Sequence, residues 1–172
     1  MIREFLKKFL LLSLLLLSSC KSVAEHNYIY TLDFSLDRQR QFPDKRRVVD
    51  ELNKGFKEEL KSLGREFDKE RNIPFDVFDL NDDGVEEIIT KSVDAVICGN
   101  YDCGCSILLK QEKWNNVVDG MWCYDGDMYV LKSKTLGFYD MATKGLRRWK
   151  GKTRIWKWNG SKYEYSHYIL EK

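Results

Sequence analysis

Histidine is nearly missing from this chain, two residues in 172, and so is proline. His26 falls in a polar stretch near the start, and His167 lies in a strand-like run among tyrosines with no serine or cysteine motif beside it. A core or sheet-surface role therefore outweighs a catalytic one for His167. No Cys-x-x-Cys occurs, which leaves no thioredoxin-like reading. The cysteine cluster has no second spaced knuckle and no nearby histidine, which argues against zinc. The carboxylates Asp125 and Asp127, in Tyr124-Asp125-Gly126-Asp127, read first as a turn rather than a glycosidase pair. The chain is not expected to be an enzyme.

What the chain does have begins at its front. Arg3, Lys7 and Lys8 form a basic start, and residues 9–17 are apolar apart from Ser13, which is the build of an export signal. The stretch is too short to span a bilayer, which takes roughly 20 apolar residues. It ends in Leu17-Ser18-Ser19-Cys20, an apolar residue, two small ones and a cysteine. That ending resembles the bacterial lipobox, in which the cysteine is acylated and the chain is cut before it. The resemblance implies residues 1–19 as a cleaved signal and Cys20 as the lipidated residue, with 20–42 as anchor and tether. Lys21, where an aspartate would hold such a lipoprotein at the inner membrane, implies the outer membrane facing the periplasm in a Gram-negative cell. Cleavage would leave 153 residues, one domain over 43–172. It would remove three basic side chains and one acidic one, leaving 26 of each. A net charge of zero argues against a nucleic-acid partner.

Export also bears on the thiols. Cys98, Cys103, Cys105 and Cys123 are an even set, and in an oxidising compartment disulfides are the default. Four cysteines allow three pairings, and spacing does not choose among them.

Within 20–42 one strand-like patch stands out, Tyr28-Ile29-Tyr30-Thr31-Leu32. From Pro43 the apolar residues Val48, Val49, Leu52, Phe56, Leu60, Leu63 and Phe67 recur at steps of three and four. This spacing predicts one amphipathic helix over residues 43–71, started by Pro43 and stopped at Asn72 and Pro74. Its mixed charges, such as Lys57, Glu58, Glu59 and Lys61, read as a solvated face. After Pro74 short apolar runs alternate with turn residues, at 75–79, 85–92, 95–98, 106–111, 114–118, 128–133, 137–141, 153–158 and 163–169. Asn159-Gly160, between Ile155-Trp156-Lys157-Trp158 and Tyr163-Glu164-Tyr165, predicts a type I′ hairpin. The expected fold class is α+β, a long helix packed on an antiparallel meander of about seven to nine short strands over 75–170.

The sharpest motif is Asp79-Leu80-Asn81-Asp82-Asp83-Gly84-Val85-Glu86-Glu87. Asp79, Asn81 and Asp83 alternate, Gly84 permits a bend, Val85 can offer a carbonyl, and Glu87 stands at the ninth position. This is a ligand spacing for calcium, a hard cation that takes six to eight oxygens. The twelfth position is Thr90, so the loop is not an EF-hand. It is similar instead to the DxDxDGxxD loops of integrin-type and FG-GAP blades, although a lone loop lacks their repeats. The same residues also suit a plain polar turn without metal. Any ion held here is expected to be structural.

The order of motifs adds to this. The run Phe75-Asp76-Val77-Phe78-Asp79-Leu80-Asn81-Asp82-Asp83-Gly84-Val85-Glu86-Glu87-Ile88-Ile89 is followed by Cys98-Gly99-Asn100-Tyr101-Asp102-Cys103. Then come Gly137-Phe138-Tyr139-Asp140 and Trp156-Lys157-Trp158-Asn159-Gly160-Ser161-Lys162-Tyr163. Together they resemble a family of small exported bacterial proteins of unassigned function, over residues 75–163. The resemblance implies a binding or inhibitory envelope protein, with Cys98 paired to Cys103 and Cys105 to Cys123.

A tethered, disulfide-stapled, aromatic-rich β domain suits a binding module, since Trp and Tyr anchor interfaces. Trp114, Trp122, Trp149, Trp156 and Trp158 are expected to be mostly core, with any exposed cluster marking the partner surface. The expected partner is another envelope protein. Peptidoglycan or polysaccharide binding, or a structural accessory role at the outer membrane, are the alternatives.

Overall fold

A computed structural model describes residues 28–93, 98, 103–118, 120, 121, 123, 127–145 and 150–170. Cys20, Lys21, His26, Trp122, Asp125 and Trp149 lie outside the described residues, as does most of the run at 95–98. The elements are β1 (Tyr28–Thr31), α1 (Leu36–Arg40), α2 (Pro43–Leu52), α3 (Lys54–Ser62), α4 (Lys69–Asn72), β2 (Phe75–Phe78), β3 (Glu87–Lys91), β4 (Cys105–Lys110), β5 (Trp114–Asn116), β6 (Met128–Thr135), β7 (Phe138–Lys144), β8 (Lys152–Trp158) and β9 (Tyr163–Leu170).

The expected long helix over 43–71 is not formed, and the α+β reading built on it is corrected. Strands hold 43% of the described residues and helix 23%, the latter in four short pieces. The continuous periodicity misled because the breaks preserve it. Asn53 leaves helical geometry at φ −108° and turns its amide back to donate to Val49 O at 2.8 Å. Leu63 and Gly64 then end α3: Gly64 takes φ +69°, its N–H donates to Lys61 O at 3.0 Å, and Arg65 N–H donates to Leu60 O at 3.0 Å. That is a Schellman ending, which favours glycine because a left-handed residue needs no Cβ. Asp68 opens α4 afresh by accepting from Glu70 N and Arg71 N. Val49 and Leu60, three turns apart in sequence, are both fully buried, whereas Leu52 and Leu63 of the same apolar series are exposed.

The strands form two antiparallel sheets, one in the order β1-β6-β7-β8-β9 and one in the order β2-β3-β4-β5. They are stacked rather than strung as one meander. Ile89, Ile107 and Leu109 of the smaller sheet meet Met128, Val130, Met141, Trp156 and Trp158 of the larger. Ile88 and Leu108, one residue out of phase, point the other way onto Val49, Ile73, Phe75 and Val77 beneath the helices. β3 and β4 are therefore buried on both faces, which is why Ile88-Ile89 and Ile107-Leu108-Leu109 are unbroken apolar runs. Each such buried side chain contributes roughly 1.5–3 kcal/mol.

β1 pairs with β6, and Tyr28 stacks on Tyr129 with ring centroids 4.1 Å apart. The folded part thus begins by Tyr28, inside the stretch read as tether. The predicted β8–β9 hairpin forms, with Trp158 opposite Tyr163, but its loop has four residues rather than two. Gly160 alone of the Asn159-Gly160 pair has positive φ, at 103°, so the turn is not type I′. Asn159 Oδ1 closes the loop instead, accepting from Ser161 N and Lys162 N at 2.9 Å each.

Candidate functional site

The loop between β2 and β3 carries the oxygen-rich motif. Asp79 Oδ1 accepts from Asn81 N at 3.3 Å and Asp83 N at 3.2 Å, and its Oδ2 accepts from Gly84 N at 2.8 Å. Asn81 donates its amide to Asp83 Oδ2 at 2.8 Å, and Asp83 Oδ1 accepts from Val85 N at 2.8 Å. Asp82 and Gly84 hold positive φ, 59° and 83°, which lets the chain reverse within five residues. The loop thus gathers Asp79, Asn81 and Asp83. Among the described residues, no three His, Cys, Asp or Glu side chains are drawn close enough to hold a metal by themselves.

Glu87 behaves differently from the rest of the motif. As the first residue of β3 it is 1% exposed, and its carboxylate turns back under the loop, where Oε2 accepts from Leu80 N at 2.6 Å. Oε1 has no hydrogen-bond partner. Burial pushes the Glu87 carboxyl up to about 7, and the nearby Asp83 and Asp79 carboxylates push in the same direction. Leu80 joins this arrangement to the larger sheet, since its carbonyl accepts from Tyr139 N at 2.8 Å. Tyr163, fully buried, donates its hydroxyl to Tyr139 O at 2.8 Å, so the loop, β7 and β9 meet at one junction.

The lysines nearest the loop are directed elsewhere. Lys134 Nζ pairs with Asp82, and Lys45 Nζ donates to the Glu86 carbonyl at 2.7 Å. The sequence offered no sign of the Lys134 contact, which spans 52 residues and forms only when the sheets stack.

Among the described residues the four cysteines form two disulfides, Cys98–Cys103 and Cys105–Cys123, the pairs that the family resemblance implied. Asp127 is exposed and accepts from the Tyr129 hydroxyl at 2.9 Å. A surface groove of about 480 Å³ runs beside Phe67 between charged side chains of α2 and α3. Three of its cations are paired, Lys69 with Asp50 at 3.2 Å, Lys54 with Glu51 at 2.6 Å and Arg47 with Asp44 at 3.6 Å, and its lining has no serine, cysteine or histidine.

A second feature is β9. It lies at the end of the larger sheet, and all but two of its eight residues are exposed. Tyr165, Tyr168 and Leu170 are 50%, 47% and 65% exposed, while Trp156 and Trp158 are core and Trp114 is half-buried beneath Lys45. Among the described residues the strongly exposed aromatics are thus tyrosines, and Trp156 and Trp158 lie in the core as the sequence reading expected of most tryptophans. His167 is exposed on the same strand, with its Nδ1 3.0 Å from the Ser166 hydroxyl. Beyond a single bridge between Val118 and Tyr163, no strand among the described residues pairs with its outer edge.

No protein-family model, no curated protein and no solved structure matches this chain.

Proposed function

We propose that this chain is a lipid-anchored envelope protein, tethered through Cys20, that acts by binding another envelope protein along the outer edge of β9. The observation that supports this reading is the exposure of Tyr165, Tyr168 and Leu170 on a long terminal strand. Such an edge presents a row of unpaired backbone groups, and an extended segment of a partner can add to it as a further strand. The tyrosines are already positioned: the Tyr165 ring meets Trp156 edge-on at 5.9 Å, and Lys152 Nζ stands 4.7 Å over the Tyr168 ring. Side chains held before contact lose less entropy on binding. Export, the lipid on Cys20 and an outer-membrane location follow from the leader and Lys21 and belong to the same proposal.

A photo-reactive phenylalanine analogue placed at Tyr165 or Tyr168, in the chain resident in its own envelope, tests the surface. One discrete protein adduct from both positions is expected, and none from the same group at the exposed helix-end residue Leu63. Equal labelling from Leu63, or co-sedimentation with cell-wall sacculi without any protein adduct, would overturn the reading. Intact-mass measurement of the native protein tests the anchor, and a retained Met1 would sink it.

A further inference from the structure

We propose that residues 79–87 form a calcium site, with Glu87 as the ligand that closes it from beneath. A spacing of oxygens alone would not carry this, because the loop satisfies much of its own hydrogen bonding. The deciding observation is Glu87 Oε1, a carboxylate oxygen that is buried yet meets no donor. A buried carboxylate without a partner is costly, and native chains avoid it by hydrogen bonds, by an opposite charge or by a metal. Hydrogen bonding is used only on Oε2, by Leu80 N. The nearby lysines are committed to Asp82 and to the Glu86 carbonyl, on the outside of the loop. That leaves a proton or a cation, and the oxygen-bearing side chains of the loop favour the cation.

The donor count fits a hard one. Asp79 Oδ2, Asn81 Oδ1 and both Asp83 oxygens each accept one hydrogen bond and retain a second lone pair. With Glu87 Oε1 and the Val85 carbonyl, the chain supplies about six oxygens, and water can complete the set that calcium takes. Three carboxylates against a doubly charged ion leave one negative charge, with no cation of the protein in between. The flexible turn and irregular donors suit calcium better than magnesium, which demands an octahedron and sheds water reluctantly. Ligation opens the Asn81–Asp83 hydrogen bond and draws Asp79 and Asp83 toward Glu87. Because Leu80 carries both the Glu87 contact and the Tyr139 contact, the ion would brace the junction of the two sheets. The site is separate from the β9 edge, and a purified chain suffices to test it without any partner.

Calorimetric titration of the purified full chain with calcium chloride should give one site per chain, with a dissociation constant of roughly 10 µM to 1 mM. Terbium should report the same site by luminescence, sensitised through the Tyr139 ring, whose hydroxyl lies 3.5 Å from Asp82. Asp83→Asn should weaken binding at least about tenfold by removing one anionic ligand. Glu87→Gln, which can keep the Leu80 hydrogen bond, should weaken it as much, while the calcium-free protein melts at or above the wild-type temperature. Asp82→Asn, outside the ligand positions, should bind within about twofold of wild type, well under the tenfold expected for a lost ligand. Should Glu87→Gln fail to fold, Asp79→Asn and Asp83→Asn at the rim of the loop carry the test. No binding at about 10 mM calcium, far above the weakest extracellular sites, would overturn the proposal. So would Asp83→Asn and Asp79→Asn proteins that bind as tightly as wild type.

Discussion

Asp76 Oδ1 receives the Nε–H of Arg38 at 2.7 Å from a strand position that is fully buried, across 38 residues of chain. The same carboxylate accepts from the Tyr30 hydroxyl, from Asp33 N and from Val77 N, each at 2.8 Å. Four donors on two oxygens satisfy a buried anion completely; two of them, Tyr30 and Asp33, come from the segment that precedes the helices and a third, Arg38, from α1. Asp76 is thus the peg that holds β1 and α1 against β2. Asp76→Ala leaves these donors without their acceptor and should cost roughly 3 kcal/mol. Urea unfolding monitored by tryptophan fluorescence measures it, and a loss below about 1 kcal/mol would show that water replaces the carboxylate.

Tyr30 makes the same peg sensitive to alkali. Burial, and then the hydroxyl's bond to Asp76, push its phenol from 10.0 up to about 12. The folded form therefore holds the proton more tightly than the unfolded chain. Its contribution is fully present below pH 10 and is lost as pH rises through 12. Tyr30→Phe should be less stable than wild type by about 1 kcal/mol at pH 8, and the gap should narrow between pH 10 and 12. Unfolding curves across that range decide it, and a gap that widens with pH would contradict the sign.

Gly64 is where α3 stops, at φ +69°, and a Cβ there would meet nothing within 4 Å. The penalty for Gly64→Ala is therefore the backbone conformation alone, about 1 kcal/mol. Gly55→Ala, inside α3 and equally uncrowded, should instead stabilise by a similar amount. Thermal melts of the two variants should shift in opposite directions.

The two disulfides close loops of unequal length, five residues apart in one and eighteen in the other. Restriction of the unfolded chain grows with loop length, so losing Cys105–Cys123 should cost about 3 kcal/mol and losing Cys98–Cys103 about 2 kcal/mol. Paired Cys→Ser variants, melted under non-reducing conditions, compare them. The reverse order would mean that native-state contacts outweigh loop entropy.

Much of the strand layout was legible because alternation and turn residues are local signals. The hairpin ending in Tyr163 and the paired runs from Phe75 and Glu87 each announce themselves within ten residues. The helical stretch was misread for a physical reason. Val49 and Leu60 keep phase across the break at Asn53, so period alone does not reveal that the axis has turned, although Gly64 and the cap at Asp68 do. Of the loop, the oxygen-bearing side chains were visible as letters, Glu87 among them at the ninth position, but its seclusion was not, since burial depends on what packs over it from distant parts of the chain.

By itself the sequence determined which segments extend, where they turn, and that oxygen-bearing side chains cluster at 79–87, since these depend on residues within one or two turns of each other. Only the tertiary structure decided that β2 to β5 form a sheet of their own, covered by short helices on one side and the five-stranded sheet on the other. It alone placed Asp76 under Arg38 and left Glu87 Oε1 without a donor. Burial is set by what arrives from distant parts of the chain, and no window of neighbouring residues contains that information.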